Sequence, residues 1–364
     1  MQAKVIGVGS SGCVVHPAIP CEGKGTLGDK ISKILPKTDA SKELEMMAEL
    51  AGLEDFAIFQ SMPCPLNNTH DDNARIIQEC KKKDVFTYTS PYDLEMLIYD
   101  YGGIDFVDYY PTLYSDFMDG RNINLFNFFN SLGNLFIGVH FFRERGIMHG
   151  DIRIENIVYN SQQGVSKFID FGIMTSKSRL LSKIGTKGLD GLKEEIPILG
   201  KYYNGSKVDG IMPVAEIIEL YDLVIRRDDY YIKKIDLVIN NSDIYALCEQ
   251  LKMYIQNIIY DLLRVGRLAY NDPYIIFLEA FVLLMETALC RETRNAIISI
   301  KDLYIKYKEL MATNPFLSAS ASASGYIKHK KRMSKRMSKR MSKRMSKRMI
   351  RKRNARKNKG TRKH

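Results

Sequence analysis

Three stretches of the chain hold residues whose types and spacing suit chemistry on phosphate. Gly7-Val8-Gly9-Ser10-Ser11-Gly12-Cys13-Val14 sets three glycines between strand-like runs. With no Cβ in the way, backbone N–H groups at such positions can approach phosphate oxygens. His149-Gly150-Asp151-Ile152-Arg153-Ile154-Glu155-Asn156 offers a carboxylate, a guanidinium and a carboxamide, and Asp170-Phe171-Gly172 adds a second carboxylate. Phosphoryl transfer asks for a carboxylate near the attacking hydroxyl and for oxygen ligands on a cation that neutralises the phosphates. A dinucleotide-binding fold needs a helix straight after its glycine turn, but Val14, Val15 and Pro17 favour a strand there.

The elements that must position these residues are legible from periodicity. The first thirty-odd residues read as strand, tight turn and strand, with a further strand over Asp29–Leu35. Thr38, Asp39 or Ser41 can cap a following helix whose Leu44, Met47 and Leu50 share a face. LEMLIY, Leu94–Tyr99, is apolar enough for a buried strand and ends in Asp100-Tyr101-Gly102-Gly103. From Leu125 to Phe142 apolar residues keep the three-and-four spacing of a buried helix that ends near Gly146. NIVY and KFID, joined by NSQQG, predict a hairpin, and the pattern beyond Leu247 is helical. Pro273–Cys290 is very apolar, but Glu279 and Glu286 lie two turns apart on one stripe, so it reads as a core helix rather than a membrane span.

Taken together, the glycine loop, the HGDIRIEN loop and the DFG resemble the nucleotide flap, catalytic loop and metal-binding segment of protein kinases. The resemblance covers most of residues 1–316 and implies an α+β, bilobal kinase fold. A small β-rich lobe with one regulatory helix would occupy 1–102, and a larger helical lobe 103–316. It implies transfer of the γ-phosphate of ATP, with Mg2+, to serine or threonine of proteins. Asp151 would be the base, with Lys33 and Arg153 also serving catalysis. Asn156 and Asp170 would ligate the metal. Gly7, Val8, Gly9, Ser10, Ser11, Gly12 and Val14 would cover the nucleotide. Lys33 would pair with the phosphates and with Glu43, which is preferred to Glu45 because Met46, Met47 and Leu50 then follow on the buried side. Asp100, Tyr101 and Gly102 would form the adenine-holding hinge, with Tyr99 guarding the back pocket. Asn241–Leu247 resembles the start of a helix whose aspartate ties down the catalytic loop. IGVGSSGCVVHPAIPC, SMPCPLNN and LIYDYGGIDF further resemble the divergent serine/threonine kinase-like proteins of large DNA viruses with cytoplasmic phases.

The sequence departs from the kinase pattern in places. Gly150 stands where the catalytic loop usually has arginine, which removes a cation for binding a phosphorylated activation loop. Activity without phosphate on Thr175, Ser176 or Ser178 is therefore predicted, and a strict requirement for such phosphate would refute it. Arg153 replaces the usual lysine, which leaves tyrosine as an alternative acceptor. Pro213-Val214-Ala215-Glu216 is the nearest match to an APE segment. HGDxxxxN also occurs in small-molecule kinases, but Glu43, the intact DFG and the DIYAL stretch favour a protein substrate. Lys33, Asp151, Asn156 and Asp170 together favour retained chemistry over a silent scaffold. His149 is expected to brace the loop, and His140 to be a hydrogen-bonded core histidine.

Charge divides the chain. Lys328–His364 holds 20 of the 54 lysines and arginines and none of the 42 acidic residues, so the tail carries about +20 and the rest about −8. The tail repeats Lys-Arg-Met-Ser, placing Ser334, Ser338, Ser342 and Ser346 each two residues after an arginine, a basic-directed phosphoacceptor context. SASASASG precedes it within a linker, 317–327, and 328–364 is expected to be disordered. Such a tail suits nucleic acid or an anionic surface, besides protein substrates as partners of the body. The six cysteines form neither CxxC nor a zinc-ligand cluster, and no charged-then-apolar leader opens the sequence. A reducing, cytoplasmic setting is expected, with Cys13 as a small apolar filler.

Overall fold

The computed structural model describes residues 2–9, 12–22, 27–58, 60–66, 71–82, 90, 93–195, 222–224, 226, 230–266, 268–289 and 297–316. The chain divides into two units, Met1–Pro315 and Phe316–His364. The first is a mixed α+β body, with the larger sheet built from its N-terminal part and a mostly helical C-terminal part.

Its main sheet has five antiparallel strands in the order β1 (Lys4–Val8), β2 (Cys13–His16), β3 (Lys30–Pro36), β5 (Leu94–Asp100), β4 (Gln60–Cys64). Pairing aligns Gly7 with Val14, Val14 with Lys33, and Lys33 with Leu97. Residues opposite one another in antiparallel strands share a face, so the glycine strand, Val14 and Lys33 stand in one row. Alternation of period two then sorts the core. Leu35, Leu97 and Tyr99 face α1 (Lys37–Ala48), packing with Ala40 and Met47. Ile34, Met96 and Ile98 face the other way, onto Ile76, Ile77 and Cys80 of α2 (Asp71–Lys82). Helix α1 begins earlier than the expected caps. Pro36 occupies the N-cap position without a side-chain bond, and Ser41 Oγ donates instead to the Lys37 carbonyl. Proline fixes a backbone angle compatible with helix entry, so no hydroxyl cap is required.

Beyond Asp100 the body is helical with short paired strands. Asp105 caps α3 (Phe106–Asp119), and α4 (Asn122–Glu144) runs through the interior with Phe128, Phe129, Phe136 and Phe142 fully buried. Among the described residues, α4 is one helix long and apolar enough to cross a membrane, and 67% of its most apolar window is packed inside the protein. Strand β6 (Ile104–Asp105) pairs with β8 (Ile157–Asn160), which forms the expected hairpin with β9 (Val165–Phe168). Asn160 Oδ1 accepts from the N–H groups of Gln162 and Gln163, closing the turn. Strand β7 (Ile147–Met148) pairs with β10 (Thr175–Ser176), followed by α5 (Lys177–Lys187) and α6 (Leu189–Glu195). Helices α7 (Tyr231–Arg264), α8 (Pro273–Leu289) and α9 (Ile300–Ala312) complete the body. Tyr307 of α9 packs on Phe136 of α4 with ring centroids 5.2 Å apart.

Two expectations about cysteine and histidine are corrected. Cys13 is bonded to Cys80 and Cys21 to Cys64, so four cysteines expected to be reduced are paired, while Cys248 is a buried free thiol. The pairing partners are 67 and 43 residues apart in sequence, Cys13 of β2 meeting Cys80 of α2, and Cys21, beyond β2, meeting Cys64 of β4. His140 leaves Nδ1 buried without a hydrogen-bond partner, its ring lying against Phe141.

Candidate functional site

Lys33 is the point where separate elements meet. It projects from β3 toward α1, where Glu43 Oε1 and Oε2 accept from its Nζ at 2.9 and 2.8 Å. Its Nζ also lies 3.2 Å from Asp170 Oδ1. Glu43 is buried, and Tyr99 of β5 donates its hydroxyl to Oε1 at 2.5 Å. Glu45 points outward, with its side chain 75% exposed. Burial acts to lower the Lys33 pKa, but the charges of Asp170 and Glu43 outweigh it and hold the ammonium above its ordinary value. Burial works against ionisation of Asp170, yet Lys33 beside it, with smaller help from His149 and the Gly172 N–H, holds that carboxyl below its ordinary range. Burial first, and then the charge of Glu43, push the Tyr99 hydroxyl well above the usual phenol value.

Asp170 is a non-glycine residue with positive φ, 60°. Aspartate tolerates this left-handed region better than most residues, at a cost of about 1–2 kcal/mol. Its side chain is 45% exposed, so one flank faces Lys33 and another faces solvent.

The second cluster is local. Asp151 Oδ2 accepts from Asn156 Nδ2 at 2.9 Å, and that amide also donates to the Asp151 carbonyl at 2.8 Å. Arg153 Nε lies 3.2 Å from Asp151 Oδ1. The two clusters are tied through the backbone, because the N–H of Ile169, next to Asp170, donates to the Asn156 carbonyl at 3.0 Å. His149 braces the loop: Nδ1 accepts from the Asp151 N–H at 3.3 Å and Nε2 meets the Ile169 carbonyl at 3.1 Å. That pattern suits the tautomer with its proton on Nε2. Gly150 has φ +79°, and a Cβ there would lie 3.2 Å from the Ile173 carbonyl, so glycine fits where a side chain would be strained.

Beneath the loop, Asp243 accepts from the N–H groups of His149 at 2.7 Å and Gly150 at 3.1 Å. Burial pushes its carboxyl above the ordinary value despite His149 and these two donors. Asp243 sits well inside α7 rather than at a helix start. Ile235, Val238 and Ile239 supply a buried face upstream that extends the helix back to Tyr231.

Gly9 and Gly12 flank the junction between β1 and β2. Gly9 N–H donates to the Gly12 carbonyl at 2.9 Å. A Cβ on Gly12 would lie 2.8 Å from the Ile34 carbonyl and 3.5 Å from Lys33 Cε, which explains why glycine is required beside Lys33. Gly7 and Val8 lie in β1 and Val14 in β2, while Ser10 and Ser11 lie outside the described residues. Asp100 ends β5 and pairs with Lys30, Tyr101 stacks on His16 at 4.4 Å, and Gly102 packs close to Ile58 and Val158. Pro213–Glu216, the linker and the tail lie outside the described residues.

Asn156 and Asp170, the residues expected to hold a divalent cation, lie on segments joined by the Ile169 N–H to Asn156 carbonyl bond. The Asn156 Nδ2 group is committed to Asp151, which leaves Oδ1 as its ligating atom. Among the described residues no group of three or more His, Cys, Asp or Glu could hold a metal. Mg2+ is commonly held by one or two protein oxygens together with water and phosphate, so the donor set fits that ion with a phosphate ligand.

Two charged residues near the site escaped the sequence reading. Arg179 of α5 and Glu195 of α6 form an ion pair at 2.8 Å, with Glu195 3% exposed. Their separation in sequence matches no local motif, and only the fold of the segment after Asp170 brings them together. Compared with families of known proteins and with curated proteins, the chain matches none.

Proposed function

We propose that the chain is an ATP-dependent protein kinase of bilobal fold, acting on serine or threonine. The observation that carries this reading is the meeting of Lys33, Glu43 and Asp170, drawn from a strand, a helix and a distant loop, beside the Asp151–Asn156 cluster. A lysine fixed by one carboxylate and facing another is arranged to hold phosphates beside a metal-binding aspartate. Asp151, oriented by Asn156 and Arg153, would receive the proton of the acceptor hydroxyl as its oxygen attacks the γ-phosphorus and ADP leaves. Arg153 supplies positive charge at the transferring group. Bound Mg2+ on Asn156 and Asp170 would neutralise charge on the phosphates. The row of Gly7, Val14 and Lys33 would cover the nucleotide, with Asp100, Tyr101 and Gly102 at its adenine end.

Radiolabelled ATP, offered with a basic protein substrate to the intact chain, the Asp151→Asn variant and a chain truncated after Tyr326, tests this. Label in the first and third but not the second is expected, with the repeat serines Ser334, Ser338, Ser342 and Ser346 as additional acceptors in the intact chain. Silence in all three overturns the reading. The tail's charge favours a second role, binding of nucleic acid or an anionic surface, which would weaken steeply with salt and survive Asp170→Ala.

A further inference from the structure

The segment after Asp170 is already tied down by carboxylates. Strand β10 pairs with β7, immediately before the loop that begins at His149. Thr175 is 1% exposed and its Oγ1 donates to Glu195 Oε2 at 2.8 Å. Ser176 is 5% exposed and caps α5, its Oγ accepting from the Arg179 N–H at 3.4 Å. Two of the three hydroxyls that could have carried an activating phosphate are therefore buried and engaged. Lys177 pairs with Asp236 of α7, which anchors the start of α5 from the other side.

Arg179 then links this segment to α1. Its Nε is held by Glu195 at 2.8 Å, while its Nη1 lies 3.8 Å from Glu45 Oε1. Glu49, the C-cap residue that follows α1, adds to the negative field on the guanidinium. Glu45 is two residues from Glu43, the partner of Lys33. The guanidinium thus stands between a buried carboxylate on α6 and an acidic surface of the helix that fixes Lys33.

We propose that Arg179, oriented by Glu195, is a positioning residue that holds α1 in the register placing Glu43 on Lys33, and that it does so without phosphate on Thr175, Ser176 or Ser178. The buried Glu195 does from within the chain what an added phosphate would do, gathering an arginine and a hydroxyl into one fixed cluster. The proposal rests on the kinase reading for its effect on transfer, but its effect on α1 stands apart from it. Exposed ion pairs add little to global stability, so the consequence is local to α1.

The test uses the full chain, treated with phosphatase and shown by intact mass to carry no phosphate, in wild-type, Arg179→Ala, Arg179→Lys and Glu45→Gln/Glu49→Gln forms. Amide hydrogen exchange is read over residues 37–48, with melting temperature and ATP-dependent transfer alongside. The expected result is exchange in that helix about fivefold faster in Arg179→Ala, with partial rescue in Arg179→Lys and little change in melting. Transfer should fall about tenfold, through KM for ATP more than through kcat, since the Lys33 contact to phosphate is what loosens. The double glutamine variant alters only the exposed α1 side of the contact, so it reports on the link even where Arg179→Ala fails to fold. Unchanged exchange over 37–48 in that variant, or transfer that begins only once phosphate appears on residues 175–178, overturns the proposal. Faster exchange with no transfer in any form, wild type included, sustains the link to α1 and defeats the kinase reading instead.

Discussion

Asp170 and Asp243 both serve the loop that starts at His149, and they are held by opposite means. Asp170 faces the Lys33 ammonium, keeps 45% of its side chain exposed, and has its carboxyl held below the ordinary range. Asp243 is 4% exposed, accepts two backbone N–H groups, and has its carboxyl pushed up by burial. The first is a charge presented to whatever enters beside Lys33. The second is a clamp whose work is finished once the loop is folded. Activity and stability should therefore separate between them.

The largest expected effect is on transfer by Asp170→Asn. On the kinase reading proposed above, losing the carboxylate that would hold the metal beside the phosphates should cost about 10³-fold in kcat. Its exposed flank predicts a stability change within about 1 kcal/mol, read by denaturant unfolding. Loss of folding on the scale of the activity loss would erase the distinction drawn here. Asp243→Ala should behave in reverse. It leaves the N–H groups of His149 and Gly150 without their acceptor, at about 3 kcal/mol of stability for the pair, and activity should decline only as the fold or the loop does.

Acid titration sharpens the same contrast. The contribution of Asp170 is complete above the unfolded carboxyl value of about 3.9 and is lost as pH falls through its lower folded value. Asp243 has a folded value above the unfolded one, so its contribution falls as pH rises from the unfolded value through the folded one. Unfolding midpoints measured from pH 3 to 7 should show wild type and Asp170→Asn diverging upward with pH only in the lowest part of that range. An Asp243→Asn variant should remove a slope of the opposite sign. Matching slopes for the two variants would break the comparison.

The smallest effect belongs to Thr175→Val, which probes a carboxylate of intermediate character. Glu195 is buried like Asp243 but has a cation, Arg179, like Asp170. Deleting the Thr175 donor leaves that ion pair intact, so a loss of about 1 kcal/mol in unfolding free energy is expected. A loss several times larger would mean that the hydroxyl, not the arginine, holds Glu195 in place.

How much of this was legible beforehand depends on the distance over which each signal acts. The hairpin around Asn160–Gly164 and the buried face of α4 follow from local turn chemistry and helical spacing, and both form as expected. Glu43 could be separated from Glu45 because one helix face decides which of them is buried. The start of α1 could not be read from its hydroxyls, because Pro36 enters the helix without a cap. Helix α2 went unread, since its exposed face is strongly polar and its apolar one meets a sheet built from other segments. Helix α3 contains Pro111, which masks the spacing of Phe106, Tyr109, Leu113 and Phe117. Arg179 with Glu195, and the two cysteine pairs, depend on contacts between elements that no local pattern encodes.

Those cysteine pairs also change the connectivity of the molecule. The covalent ring closed by Cys21 and Cys64 lies inside the ring closed by Cys13 and Cys80, and both rings contain Lys33 and Glu43. A peptide bond cut anywhere between residues 22 and 63 therefore opens the polypeptide without releasing either fragment. A nicked molecule would migrate as one species on a non-reducing gel and separate only after a thiol is added, and a cut between Lys33 and Glu43 would leave the lysine and its glutamate on different fragments that stay tethered until then.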